Sequence, residues 1–493
     1  MKLTVLIPSE EYRNYAGARI RYGRLAPKLE RRGVHLSLQD IGSVDFSDLS
    51  GDALLVSKCH DARALIAAIA AADRGMLVGV DLFDDYFSQG DDSRLLRFRN
   101  WLKQLLPICD FALCSTDAMA VAAQEYRSDL PTHVINDPAP EFPLDQLPDL
   151  LERKLASARS ERRIRLAWFG VGDNPYFPVG ISDLAAWSEM LRLIARGDMA
   201  VDLTVLTNER ALDVERLALL EALPVRASVQ EWSEKREQDA LRQAFACFIP
   251  VNGQSFSAAK SLNRAVTALT AGCQVISAGY PLYATLGDLI YRDASLFLRD
   301  ASQGAMKFST NHFDQFKRKI DQIASPDFEA EKLAQFLGCL KPPTPAQDSQ
   351  IVLIQGQAPN GLAHKAVKAI KGLSVASPYC AHALGFDVIF RGGSDRLEML
   401  ISDGLAARLP ADRRKTLTPI SLGDRKLWLV SKAGKEGTSK RDDTAEWHAS
   451  PLPFQLATYS RSMAVIRTRM EETFGPCRIL VSENSQLPFT ADF

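Results

Sequence analysis

An α/β protein of two consecutive parallel-sheet domains, with a further α/β segment behind them, is the fold class that the sequence predicts. Three observations carry it. Short apolar runs of strand length alternate with helical patterns through about the first 340 residues. Most of those runs are continuously apolar, as strands covered on both faces are. Two proline-rich polar stretches then divide a chain of 493 residues, too long for one ordinary core.

The first run is LTVLIP (3–8), a buried strand. A glycine-containing loop, SEEYRNYAG, leads to the helix ARIRYGRLAPKLERRG, which stops at Gly33. VHLSLQD alternates as a strand does, ALLVSK (53–58) is the next strand, and a helix follows from Asp61 to about Asp73. MLVGVD (76–81), FALCST (111–116) and THVIND (132–137) complete the first set, with helices between most of them. DPAPEFPLDQLPD, carrying Pro138, Pro140, Pro143 and Pro148, and the polar helix LLERKLASARSERR bridge to a second domain. That domain opens with IRLAWFG (164–170) and repeats the rhythm through VDLTVLT, PVRASV, ACFIPV and CQVISA. LKPPTPAQDSQ (340–350) reads as a linker. Behind it, IVLIQG, FDVIF, KLWLVS and CRILVSE read as strands. LAHKAVKAIKG and a stretch around 455–472 read as helices, and SKAGKEGTSKRDDTAEWH as a mobile loop. The expected domains are therefore 1–160, 161–340, a linker at 341–350, and 351–493.

Composition narrows the function classes. Hydrophobic content of 46% and charge of 24% are those of a soluble globular protein. A net charge of -1 gives no electrostatic case for nucleic acid or an anionic membrane. The eight cysteines form no CxxC and no zinc-spaced Cys/His cluster, so reduced thiols in a cytoplasmic protein are expected. The chain starts on a strand-like run, so no signal peptide is expected, and no apolar run reaches the roughly 18 residues of a spanning helix. Contact with a membrane-bound partner stays open.

In parallel α/β domains, ligands bind at the carboxyl ends of the strands. In the first domain that rule selects Tyr15, Gly17, Arg19 and Arg21, then Lys58, His60 and Asp61, then the aspartates of DLFDDYF. A neutral His60 there suits orienting a substrate hydroxyl, and equally suits a loop histidine bonded to backbone. Asp81, Asp84 and Asp85 could hold a divalent cation, or cap a helix and meet basic loops. They have no partner ligands in the sequence, and no metal is expected. In the second domain, Gly170 and Gly172 would let a diphosphate approach the backbone. The third glycine of a dinucleotide fingerprint is missing and Pro175 interrupts, which argues against a nicotinamide site.

SFSAAKSLNRAVTALTAGCQVISAGYP (255–281) reads as a helix capped by Ser255 or Ser257 and followed by a strand. Leu262, Val266 and Leu269 form one stripe; Lys260, Asn263, Arg264 and Thr267 lie opposite. Helical projection allows either an anion cradle or the wet face of a surface helix. The place at a strand's carboxyl end, near a helix N-terminus, favours the cradle.

Taken together, these pieces resemble the group 1 glycosyltransferases, whose GT-B fold pairs two Rossmann-type domains, over about residues 1–340. RIRYGRLAPKLERRGVHL is similar to the family's first helix and second strand. CDFALCSTDAMAVAAQEY with VINDP resembles its segment before the domain crossing, and IRLAWFG its second-domain opening. AKSLNRAVTALTAGCQVISAGYP resembles its donor-binding helix and the turn beyond.

The resemblance implies a nucleotide-diphosphate sugar held by the second domain and a glycan or lipid-linked acceptor on the first. It implies a cleft that closes between them, and neither metal nor cofactor beyond the donor substrate. A bacterial surface-polysaccharide pathway would be the setting. Lys260 and Arg264 would take the diphosphate, with Gly170 and Gly172 beside it and Asn263 orienting them or the sugar. His60 would be the catalytic residue on the acceptor side, among Tyr15, Gly17, Arg19, Lys58 and Asp61.

The sequence also departs from the family. Ala259 and Thr267 stand where its paired glutamates belong, and GVGDNPYF lacks the usual arginine and lysine. A GT-B-like binding or scaffold protein that has lost the donor glutamates is therefore the alternative. A nucleotide-sugar epimerase, which shares the fold, has little support without clustered acid/base residues.

Overall fold

A computed structural model describes residues 1–44, 49–60 and 62–343. Beyond them it describes 351–355, 373–376, 388–391, 398–402, 411–415, 417–422, 425–430 and 478–482.

The first sheet comprises β1 (Lys2–Ile7), β2 (His35–Asp40), β3 (Ala53–Ser57), β4 (Leu77–Leu82), β5 (Phe111–Cys114) and β6 (Thr132–Val134). Its order is β2-β1-β3-β4-β5-β6, and every pairing is parallel. Among the helices joining these strands are α1 (Ala62–Asp73), α2 (Leu96–Leu105) and α3 (Asp117–Tyr126). Both faces are covered, so β3 and β4 are buried at every residue, while the edge strand β2 is not. Local sequence sets the helix starts: the Thr116 hydroxyl accepts the Met119 amide at 3.3 Å and caps α3.

Helix α4 (Leu147–Ser160) leads into the second sheet. This holds β7 (Arg163–Phe169), β8 (Ala200–Thr207), β9 (Arg226–Glu231), β10 (Ala246–Phe248), β11 (Gln274–Ile276) and β12 (Ile290–Tyr291). The order is β12-β11-β10-β7-β8-β9, again parallel throughout. Between β10 and β11 lies α5 (Asn263–Thr270). Each sheet reverses its winding beside its first strand, β1 or β7, and the carboxyl ends next to that reversal form a crevice. This is the expected GT-B-like pair of Rossmann-type domains.

The boundary expected at 340 is corrected. A last helix, α6 (Pro326–Cys339), returns to the first domain, where Ala330, Leu333 and Leu337 share a core with Leu3, Val5 and Phe111. Glu329, fully buried, accepts the Asn136 amide at 3.1 Å and the Asn136 side chain at 3.0 Å. Apolar burial thus assigns 326–339 to the first core, although the chain reaches it last.

Behind the linker, strands occur where they were expected, at Ile351–Gln355, Val388–Arg391, Arg425–Val430 and Arg478–Ser482. Leu373–Ala376, Glu398–Ser402 and Leu417–Leu422 were not foreseen. Three of the seven form a parallel sheet and four an antiparallel one. The antiparallel sheet departs from the α/β expectation. Only Gly423 and Asp424 separate two of its strands, and a parallel crossover needs a dozen residues or more. The two expected helices, the expected loop at 431–448 and most of the linker lie outside the described residues. Among the described residues, no helix is long and apolar enough to cross a membrane.

Candidate functional site

The carboxyl edges of the two sheets face each other across a cleft of about 260 Å³, lined from both sides. Two larger grooves, of about 420 and 380 Å³, lie around Arg163 and Arg165 of the second domain and hold none of the residues singled out above.

The segment after β10 forms the cleft's second-domain wall. It is two helices rather than the expected one. A short turn, Ser255–Ala258, ends, and α5 begins at Asn263. The Ala259 carbonyl, which a continuous helix would give to the residue four positions on, accepts instead from Ser115 Oγ at 3.3 Å and Thr116 Oγ1 at 3.2 Å. The break puts Lys260 and Ser261 on the cleft lining, with Asn263 and Arg264 in the first turn of α5. Neither Ser255 nor Ser257 caps it. The cap position is Leu262, which supplies no side-chain acceptor, so the positive end of α5 opens toward the cleft. Val266 and Leu269 are buried as the stripe required, and Thr267 is buried too. The wet-face reading therefore fails: this helix has no free polar side.

Arg264 runs past Gly170 and over Trp168, its guanidinium carbon 6.0 Å from the ring centroid. Gly170 has φ +150°, a backbone that favours glycine, and Arg264 passes beside it at ordinary contact distance. Among the described residues Arg264 has no carboxylate partner at ion-pair distance. Its charge opposes the rises that burial imposes on the Tyr283 hydroxyl and the Asp183 carboxyl. Asp183 also accepts Asn252 Nδ2 at 2.8 Å and the Gly180 amide at 3.0 Å.

Lys260 is paired across the cleft. Its ammonium meets Asp84 of the first domain and sits 4.1 Å from the Phe256 ring centroid. Burial and the neighbouring Arg264 lower it to about 7, Asp137 works the other way, and contact with Asp84 further favours the charged form. Lys58 reaches the same carboxylate from the other side and lies 4.4 Å from the Phe83 centroid. Its backbone is left-handed, φ +58°, which turns the side chain into the cleft directly after β3. Burial, together with Lys260, pulls the Lys58 ammonium well below its ordinary value.

Beneath the cleft, Arg21 is buried on a π-turn, Arg19–Gly23. It forms a bidentate pair with Asp81 at 2.6 and 2.7 Å and donates to the Ile135 carbonyl at 3.1 Å. Burial alone would disfavour its charge, and Asp81 more than restores it. Asp137, 3.6 Å from Arg21, accepts Ser261 Oγ at 2.6 Å and so joins the two domains. The three aspartates of DLFDDYF thus have separate duties. Asp81 holds Arg21, Asp84 holds two lysines, and Asp85 caps the turn at Phe87 and Ser88. Among the described residues no three His, Cys, Asp or Glu converge as metal ligands do.

Several expectations change. Gly172 is off the cleft lining. Its amide donates to Asn208 Oδ1 at 2.9 Å and the Gly170 amide to the Leu206 carbonyl at 3.1 Å, so neither is left for a diphosphate. Gly172 is required because a Cβ would sit 2.3 Å from Thr207 Oγ1. His60 is likewise absent from the lining. It stands edge-on to Trp101 at 4.7 Å and Phe98 at 5.1 Å, and burial, with Lys58 and Arg97, lowers it to about 3. An imidazole turned into this aromatic nest does not meet an acceptor in the cleft. Arg19 pairs with Glu234 at 2.8 Å and lies over Trp232 at 5.2 Å, bridging the domains rather than facing the acceptor side. Tyr15 packs edge-on to Tyr12 at 5.6 Å and against the first core, off the lining. Gly17 does line the cleft; a Cβ there would strike the Tyr12 hydroxyl at 2.4 Å. Asp61 lies outside the described residues.

The residues missed were Asp137, Asp183 and Tyr283. Asp137 follows β6 closely, so the strand-end rule could have selected it; the other two lie farther from any strand end.

No protein-family model matches the sequence, and no curated protein matches it. Solved structures do resemble this chain. One is described as trehalose-6-phosphate from E. coli bound with UDP-2-fluoro glucose: identity 10%, 69% of this chain and 100% of that one covered, TM-score 0.48. Anabaena HepE in complex with UDP and glucose gives 13%, 69%, 100% and 0.47. A UDP-forming trehalose-phosphate synthase from Burkholderia xenovorans gives 11%, 67%, 86% and 0.40. Likeness at this level concerns the course of the chain, and no statement about chemistry follows from it.

Proposed function

We propose that the chain is a glycosyltransferase that moves a sugar from a nucleoside-diphosphate donor to a hydroxyl-bearing glycan or lipid-linked acceptor. The observation that supports it best is Arg264, without a carboxylate partner among the described residues, at the uncapped N-terminus of α5 inside the cleft. The α5 amides, the helix dipole and Arg264 would hold the diphosphate, with Lys260 beside them. In transfer, negative charge grows on the departing diphosphate, and fixed cations at that point stabilise it more than the ground state. Cationic side chains would fill the place a metal takes elsewhere. The acceptor would lie against the first-domain wall at Gly17, Lys58 and Asp84.

One observation favours a binding protein without turnover. Ala259 and Thr267, where the resembled family has glutamates, are both buried and bring no carboxylate to the sugar. Thermal shifts with UDP, GDP, TDP and CMP divide the readings. A diphosphate that stabilises the chain, with sugar release from the matching donor, is the expected result. Stabilisation without any release selects the binding protein, and no stabilisation by any nucleotide overturns the donor site.

A further inference from the structure

The geometry points to Asp84 as a built-in competitor for the diphosphate: a first-domain carboxylate that occupies Lys260 until an anionic ligand displaces it. This rests on the donor reading above and adds how its affinity is set. Asp84 and Lys260 come from opposite sheets, so their contact exists only while the two domains meet. The Asp84 side chain is 7% exposed and that of Lys58 7%, whereas Lys260 keeps 37%, facing the cleft. An incoming anion can therefore reach the lysine that Asp84 shares. A carboxylate offers that ammonium the same charge-assisted contact as a phosphate oxygen. Leaving Lys260 does not strand Asp84, because Lys58 still holds its other oxygen. A buried charge that keeps one partner avoids the penalty of full isolation.

The test uses the full chain and two probes, inorganic pyrophosphate and UDP, titrated calorimetrically. The proteins are the wild type, Asp84→Asn, Lys260→Ala and the double variant. Asp84→Asn is expected to bind both probes about tenfold tighter or more, the scale of one charge-assisted contact. In the Lys260→Ala background the gain should vanish. Unchanged or weaker binding by Asp84→Asn, with measurable wild-type binding, overturns the competitor and leaves the donor site standing. So does a gain that persists without Lys260, which would be a general charge effect. Absence of binding by every protein overturns the donor site and the competitor together. Should Asp84→Asn fail to fold, Asp84→Ser with an intact melting transition is held to the same outcomes.

Discussion

At His60 the ring is surrounded edge-on by Phe87, Phe98 and Trp101, and burial lowers its affinity for a proton to about 3. In the unfolded chain an imidazole titrates near 6.5. Between those values the unfolded state binds the proton and the folded state refuses it, so stability falls as pH falls through that window. Replacing His60 by Gln removes this one contribution. Urea midpoints for wild type and His60→Gln should diverge on acidification, with the wild type losing about 2 kcal/mol more by pH 5. Parallel curves would show that the imidazole is hydrated. The sequence placed His60 correctly after a strand, yet position alone could not tell which way the side chain points. Lys58, two residues earlier, took the cleft instead.

The loop after β7 and the start of α5 show what was legible in whole elements and what was not. The strand ends, the helix and its cationic residues could be read from apolar spacing. The break at Ala259 could not, because its cause is the pair of hydroxyls, Ser115 and Thr116, from the other domain. That tertiary contact takes a helix carbonyl, so α5 starts afresh at Asn263 on the cleft wall, where the proposed donor site needs a helix N-terminus. In the loop, glycine was read as backbone access, whereas Gly172 is dictated by the close approach of Thr207 and Ala211. Gly172→Ala should therefore cost about 1–3 kcal/mol in thermal melts and leave nucleotide affinity unchanged. Lost affinity with an unchanged melt would restore it as a donor contact.

Across the whole molecule, the paired parallel sheets followed from the βα rhythm, but the joint between them did not. Phe177 and Phe256 of the second domain belong to the first domain's core, where Phe256 stacks on Phe177 at 4.4 Å and meets Tyr86 at 5.3 Å. Asp137–Ser261, Arg19–Glu234 and Asp84–Lys260 surround this clasp, and α6 crosses back beneath it. Such contacts join residues far apart in sequence and have no periodic signature. Phe256→Ala should cost about 3–5 kcal/mol and separate one calorimetric unfolding transition into two. A single, merely lowered transition would show that the domains remain coupled without the clasp.

The proposed hold of α5 and Arg264 on a diphosphate is measured by titrating the nucleoside diphosphate that stabilises the chain, and its parent nucleoside, into wild type and Arg264→Ala. Arg264→Ala should weaken the diphosphate by about tenfold or more and leave the nucleoside nearly unchanged. Equal losses for both ligands, or none for either, would contradict it.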